Sequence, residues 1–109
     1  MDEGPRPPKT YQEFSQRFPK LREAWEQARE AERDGPLDQR AARLVKLGVA
    51  IGSRQEGPVH SAVRKARAAG IGEDEILHVV ALAASTLGFP GAVAVFSWVR
   101  DELEGRKEP

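Results

Sequence analysis

Cysteine is absent from the 109 residues of this sequence. Disulfides, thiolate nucleophiles and cysteine–metal sites are therefore excluded. No stretch reaches the roughly 18 consecutive apolar residues of a transmembrane helix. The N-terminal "MDEGPRPPKT" lacks the apolar segment of a signal peptide. These absences predict a cytoplasmic protein.

The chain also has no net charge, because 17 basic residues balance 17 acidic ones. A protein whose main partner is nucleic acid or an anionic membrane surface would favour a basic surplus. We therefore predict neither partner. The length is sufficient for one domain with a core of modest size.

Apolar residues recur at helical spacing, and no segment shows the period-2 alternation of a half-buried strand. We therefore predict an all-α chain of about six helices. Residues 1–9 are Pro-rich and polar, which is typical of a disordered tail. Residues 10–36 are predicted to form the N-terminal helices and residues 37–104 the core of what is overall a single domain.

The first helix of the predicted core, the third of the chain, is predicted to run from about Leu37 to Ser53. Pro58 suits the first position of the fourth helix, and Gly70 is placed to terminate it.

The last two predicted helices are unusually apolar. The fifth, from about Glu73 to Leu87, has few polar residues, and the sixth, opened by Pro90, carries "GAVAVFSWV". A helix that is apolar nearly all round is buried nearly all round. Since a domain of this size cannot readily enclose two such helices, we predict a homo-oligomer. Burial of both helices inside a monomer core is the alternative.

Three stretches of the predicted core resemble the carboxymuconolactone decarboxylase family, which includes the alkylhydroperoxidase D-like proteins. They are "LDQRAARLVKLGVAIGSR", "AVRKARAAGIGEDEILHVVALAASTLGFPGAVAV" and the turn "QEGP" between them. The resemblance runs from about Leu37 to Leu103. It implies an alkylhydroperoxidase D-like all-α domain with a helical-hairpin core. It also implies assembly as trimers or hexamers, of which we expect the hexamer.

The resemblance does not extend to the chemistry of the family's peroxidase branch. That branch carries Cys-x-x-Cys at the start of the fourth helix, a histidine four residues on and an upstream glutamate. The corresponding positions here hold Gln55 and Pro58, Ala62, and Arg43. A thiolate is required to attack a peroxide oxygen or to form the resolving disulfide. We therefore predict that this chain is not a thiol peroxidase.

The decarboxylase branch lacks the cysteine pair and keeps a histidine at the position of Ala62. The nearest histidine here is His60, about 200° away around a helix at 100° per residue. The chain thus resembles a third branch, in which "EGPVHS" replaces both known sites. A neutral histidine in the first turn of a helix can act as a general base, because the dipole there disfavours imidazolium. The alternative is a surface or interface histidine bonded to a neighbour.

Three residues near His60 complete the candidate site. Glu56 is predicted to be catalytic with His60, because the two would contact each other if the fourth helix begins early enough. The intervening "GP" favours the alternative of a solvated loop carboxylate. Arg54 is a candidate for bidentate binding of a substrate carboxylate, or else an ordinary helix-end arginine. Ser61 is a second substrate-binding candidate, although adjacent helix residues point about 100° apart.

The other histidine, His78, lies in the apolar fifth helix and is predicted to be a core or interface residue. Two histidines without cysteine do not predict a metal site within one chain. We therefore expect no metal and no cofactor.

Two functions are left open by the sequence. In the first, the protein binds a small anionic organic acid or lactone and carries out proton transfer at His60. In the second, it is a non-catalytic oligomeric ligand-binding or scaffold protein of the same fold. A second polar group, from another helix, that meets His60 would distinguish them. Arg43 and Lys46 are the candidates for that group.

Overall fold

The computed structural model describes residues 9–105, and this part of the chain is helical between short turns, with no strand. Its helices are α1 (Lys9–Arg17), α2 (Pro19–Arg33), α3 (Gln39–Ser53), α4 (Glu56–Ala68), α5 (Glu73–Leu87) and α6 (Phe89–Leu103). The predicted all-α fold is confirmed. The predicted tail lies outside the described residues except for Lys9, which is helical. Over residues 9–105, none of the helices has the length and apolar content needed to cross a membrane.

Contacts divide the chain into two units, with the boundary between Leu37 and Asp38. In the first unit α1 packs against α2. The rings of Phe14 and Phe18 lie 5.1 Å apart near the connection between these two helices. Pro19 opens α2, where its missing N–H would have no partner within the helix.

The second unit holds the hydrophobic core. Helix α3 packs against α4 and α5, and α6 packs against the same two helices. The largest fully buried side chains come from all four helices: Leu47, Ile51, Val59, Val63, Ile76, Val95 and Val99. Each such side chain contributes about 1.5–3 kcal/mol by leaving water. Their packing fixes which faces of α4 and α6 meet.

The starts of α3 and α4 differ by about two residues from the sequence prediction. Helix α3 begins late, at Gln39, because Asp38 is its N-cap and accepts a hydrogen bond from the Ala41 N–H at 2.7 Å. Helix α4 begins early, at Glu56, so Pro58 is its third residue and not its first. Proline is tolerated there because the N–H groups of a first turn have no partners within the helix.

The end of α4 and the bounds of α5 agree with prediction. Gly70 has a φ of +87°, in the left-handed region that glycine adopts without strain. Its N–H donates to the Arg67 carbonyl at 2.9 Å, and the Ile71 N–H donates to the Ala66 carbonyl at 3.0 Å. This pattern is typical of a glycine-terminated helix. Helix α5 covers the predicted residues.

Helices α5 and α6 are buried on one side only in this chain. Val80 faces the core and is 6% exposed, whereas Phe89 is 78% and Val93 is 49% exposed. We call the apolar surface that these two helices share the outer face; its shallow groove is lined by Leu77, Ala81, Ala84, Phe89, Val93 and Phe96. Complete burial of both helices in a monomer core is therefore wrong. The homo-oligomer stays a prediction.

Candidate functional site

His60 lies two residues deeper in α4 than predicted, because the helix begins at Glu56. The Val59 N–H already donates to the Gln55 carbonyl at 3.1 Å, so the unpaired N–H groups of the helix start precede His60. The expected influence of the helix start on His60 is therefore weaker than the sequence suggested. The properties of His60 depend on side-chain neighbours instead.

Both ring nitrogens of His60 face carboxylates. Its Nδ1 lies 2.7 Å from Oε1 of Glu102, which projects from α6. Its Nε2 lies 3.2 Å from Oε2 of Glu56, one turn earlier on α4. The side chains of His60 and Glu102 are 21% and 19% exposed, whereas that of Glu56 is 55% exposed. One carboxylate is thus largely enclosed and the other is open to solvent.

Arg64 supplies a positive charge beside this pair. Its Nη1 donates to the same Oε1 of Glu102 at 3.2 Å. His60 and Arg64 are four residues apart on α4 and therefore share a face of the helix. We call these four residues, Glu56, His60, Arg64 and Glu102, the His60 network.

The number of protons in the His60 network follows from its donors and acceptors. An ionised carboxylate only accepts hydrogen bonds, and a neutral imidazole has a single N–H. Both contacts of His60 are hydrogen bonds only when the ring or one carboxyl group carries an additional proton. With an imidazolium, two carboxylates and one guanidinium, the network has no net charge. The arrangement can therefore hold and release one proton.

The early start of α4 settles the position of Glu56. Because Glu56 is the first residue of the helix, its side chain reaches His60 across one turn. It is not the loop carboxylate of the alternative interpretation. Its catalytic role stays a prediction.

The structure does not bring the Arg54 guanidinium to His60. Arg54 Nη2 donates to the Leu87 carbonyl at 2.7 Å, and its Cζ lies 3.4 Å from where a Cβ on Gly91 would be. Gly91 and Glu102 are about 16 Å apart along the axis of α6 at 1.5 Å per residue. Ser61 follows His60 on α4 and is half-buried. Substrate binding by Arg54 and Ser61 stays a prediction.

His78 is an exposed residue and not a core histidine. It lines an apolar groove of about 580 Å³ between α3 and α5, which also includes Val45, Gly48 and Leu82. Its predicted place in an interface is untested. Within residues 9–105, no three histidine, aspartate or glutamate side chains are grouped so as to hold a metal ion.

At the start of α5, Glu75 links that helix to α3. Its carboxylate accepts from the Arg40 guanidinium and from the Gly72 N–H, the latter at 3.0 Å. The bond from Arg40, followed by that from Gly72, lowers the pKa of the Glu75 carboxyl below its ordinary value.

The sequence patterns did not single out Glu102 or Arg64. A signal for Glu102 exists nevertheless. Val95 and Val99 form the buried stripe of α6, and Glu102 occupies the next position at helical spacing. An acidic residue that continues a buried stripe requires a polar partner on the facing helix. That partner could not be named, because the pairing of α4 with α6 is a long-range contact.

The model of the carboxymuconolactone decarboxylase family matches residues 19–101, more than half of the chain. The match begins at Pro19 and so includes α2, whereas the resemblance seen in the sequence begins at about Leu37. No curated protein and no solved structure matches the chain.

Proposed function

Because this chain belongs to the carboxymuconolactone decarboxylase family, we propose that it binds a small anionic organic acid or lactone and transfers a proton through His60. Glu56 is the group that exchanges this proton with His60. The proposal covers the His60 network and does not depend on Arg54 or Ser61.

The observation that carries the proposal is the contact of 3.2 Å between Glu56 Oε2 and His60 Nε2. A carboxylate and an imidazole at this distance attract each other when a proton lies between them. Glu56 is more than half exposed, so a proton can reach it from a ligand or from water. General acid–base catalysis requires a donor or acceptor in such a position.

Glu102 favours the enzymatic interpretation over the scaffold. It is a second polar group that meets His60 from another helix, which is the feature that distinguishes the two functions. His60 is thereby held between an enclosed carboxylate and an exposed one. An imidazole in this environment is oriented on one side and accessible on the other.

The proton balance of a decarboxylation fits this site. Loss of carbon dioxide leaves an electron pair on the carbon that carried the carboxylate, and a proton must replace the carboxyl group there. Protonated His60 can donate that proton, and Glu56 can return one to the ring. Before reaction, the positive charges of His60 and Arg64 would attract an anionic ligand.

The test follows turnover with carboxymuconolactone and a panel of small lactones and carboxylic acids. Carbon dioxide release and deuterium uptake from solvent are measured. We expect turnover by the natural chain and a decrease of roughly 10²–10⁴-fold in His60→Gln. His78→Gln is the matched control, because it alters the other histidine of the chain. Unchanged turnover in His60→Gln would refute proton transfer by this residue.

A non-catalytic function is the second candidate, because the contacts of Glu102 also have a structural role. Glu102 joins His60 and Arg64 of α4 to α6, so the network also connects two helices. Binding of a lactone or acid without turnover, unaffected by His60→Gln, would support this function.

Assembly is a further part of the proposal. The exposed Phe89 and Val93 of the outer face would be covered by a second copy of the chain. A hexamer is expected in preference to a trimer on the basis of the family resemblance.

A further inference from the structure

We infer that Glu102 is a positioning residue that fixes the tautomer of His60. In this tautomer the proton is on Nδ1, and Nε2 is the nitrogen that exchanges a proton with Glu56 or with a ligand. The inference rests on the proposed function of the same site, which leaves the roles of the two nitrogens unassigned.

The two distances assign the fixed proton to Nδ1. The Nδ1–Oε1 distance to Glu102 is 2.7 Å, and the Nε2–Oε2 distance to Glu56 is 3.2 Å. Charge-assisted N–H···O bonds have lengths of about 2.7–2.9 Å. In the opposite tautomer, the lone pair of Nδ1 would face an acceptor oxygen at 2.7 Å, and the two would repel. The Nδ1–H tautomer removes this repulsion and leaves only the weaker one at Nε2, where the Glu56 oxygen is 3.2 Å away on a solvent-exposed side chain that can move or carry the additional proton.

The surroundings of Glu102 hold it in place more firmly than those of Glu56. The Glu102 side chain is 19% exposed and continues the buried stripe of α6. The Glu56 side chain is 55% exposed, and Glu56 is the first residue of α4. An enclosed partner keeps the ring oriented, while an exposed partner can yield its place to a ligand. This asymmetry assigns orientation to Glu102 and exchange to Glu56.

Two arginines of α4 stabilise the position of Glu102. Arg64 Nη1 donates to its Oε1 at 3.2 Å. Arg67 Nη1 donates to the carbonyl of the following residue, Leu103, at 2.9 Å. The end of α6 is therefore bonded to α4 through both a side chain and the backbone. These two bonds favour the position in which the Glu102 carboxylate faces His60.

The experiment records the nitrogen-15 chemical shifts of the histidine rings by NMR. The chain has only His60 and His78, so the spectrum contains two rings. The pH is raised until the shifts stop changing, which gives the neutral form of each ring. We expect the Nδ1–H tautomer for His60 in the natural chain. Exposed His78 should show the Nε2–H tautomer that free imidazole side chains favour in water.

Variants at Glu102 test whether this residue determines the tautomer of His60. Glu102→Leu continues the apolar stripe of α6 but has no acceptor, so His60 should change to the Nε2–H tautomer. Glu102→Gln keeps an acceptor oxygen and should retain the Nδ1–H tautomer. His78 should be unchanged in both. If Glu102→Leu loses its helical circular dichroism, Glu102→Ala replaces it.

Two results would overturn the inference: an Nε2–H tautomer for His60 in the natural chain, or an Nδ1–H tautomer that persists in Glu102→Leu. The readout does not depend on turnover. A tautomer that follows Glu102 in a chain without activity would uphold the inference and refute the proposed catalysis. If activity depends on His60 but the tautomer of His60 does not change with substitution of Glu102, the proposed catalysis is upheld and the inference is refuted.

Discussion

The Arg54 Nη2 donates a hydrogen bond of 2.7 Å to the carbonyl oxygen of Leu87. Leu87 is the last residue of α5, and the last carbonyls of a helix have no partner within it. The positive charge of Arg54 at this end of α5 also interacts favourably with the partial negative charge of the helix dipole. Arg54 itself is the C-cap of α3, with a φ of +59°. Arg54 therefore ends α3 with its backbone and caps the last carbonyl of α5 with its side chain.

The stability of the chain should depend on this bond. Arg54→Ala removes it and keeps a Cβ in the left-handed conformation, so we expect a loss of about 1 kcal/mol in the free energy of unfolding. Arg54→Gly removes the same bond but relieves a backbone cost of roughly 1 kcal/mol. It should therefore unfold at nearly the same urea concentration as the natural chain. An Ala variant as stable as the natural protein would show that the bond contributes nothing.

Assembly can be tested at a residue that the core does not need. Val93 is 49% exposed on the outer face, so Val93→Glu should leave the chain helical and block association. We expect light scattering to give a mass above 12.0 kDa for the natural chain and close to 12.0 kDa for the variant. Ala68→Glu, at the exposed end of α4, is the control and should assemble normally. A natural chain of 12.0 kDa at micromolar concentration would contradict the prediction.

Val80 is unsuitable for the same experiment. It is 6% exposed and belongs to the core, so Val80→Glu would bury an unpaired carboxylate. That costs several kcal/mol, which is comparable to the whole stability of a small domain. Unfolding of this variant would report on the monomer core and not on an interface.

The Glu75 carboxylate should make stability depend on acid pH. Its pKa is lowered from the ordinary value of 4.5 by the bonds from Arg40 and Gly72. Between the lowered value and 4.5, the unfolded chain binds more protons than the folded one, so stability rises with pH. The contribution of Glu75 is therefore complete above that window and is lost as pH falls through it.

Glu75→Gln measures this contribution. The difference in unfolding free energy between the natural chain and the variant should be largest near neutral pH and shrink as the pH falls below about 4.5. Glu73→Gln, in the same helix turn, is the control. Urea denaturation at several pH values supplies the data. A difference that stays constant with pH would show that the bonds to Glu75 do not favour its ionised form.

Local patterns in the sequence predicted the helices but not how they pair. The bounds of α5 follow from the "GIG" turn and the "GFPG" break, and Gly70 ends α4 as expected. The start of α4 was placed two residues late because proline suits a first helical position and is also tolerated at the third. That small displacement decides whether Glu56 meets His60.

The candidate site depends on a contact that no local pattern contains. His60 and Glu102 are brought together by the packing of α4 on α6, which the shared core of Val59, Val63, Val95 and Val99 imposes. The sequence identified His60 and gave Glu56 a conditional role. It could not supply the partner from α6, because several pairings of four amphipathic helices satisfy the same apolar stripes.

The segment "SRQEGPVHSA" should have no thiol peroxidase chemistry. Gln55 is the N-cap of α4 and Pro58 its third residue, where the peroxidase branch would have its cysteine pair. Neither side chain can form a thiolate, and a thiolate is the nucleophile that attacks a peroxide oxygen. We therefore expect no reduction of an alkyl hydroperoxide with a dithiol reductant above the rate in buffer.

The double variant Gln55→Cys with Pro58→Cys is the positive control for this assay. It restores two thiols at the spacing of the missing pair, near a helix start that favours the thiolate. We expect it to consume peroxide in proportion to its thiols, although Ala62 stands where the peroxidase branch has its histidine. Peroxide reduction by the natural chain that survives a chelator and a metal-free preparation would contradict the prediction. Such a rate could not come from a thiol, since the chain has none.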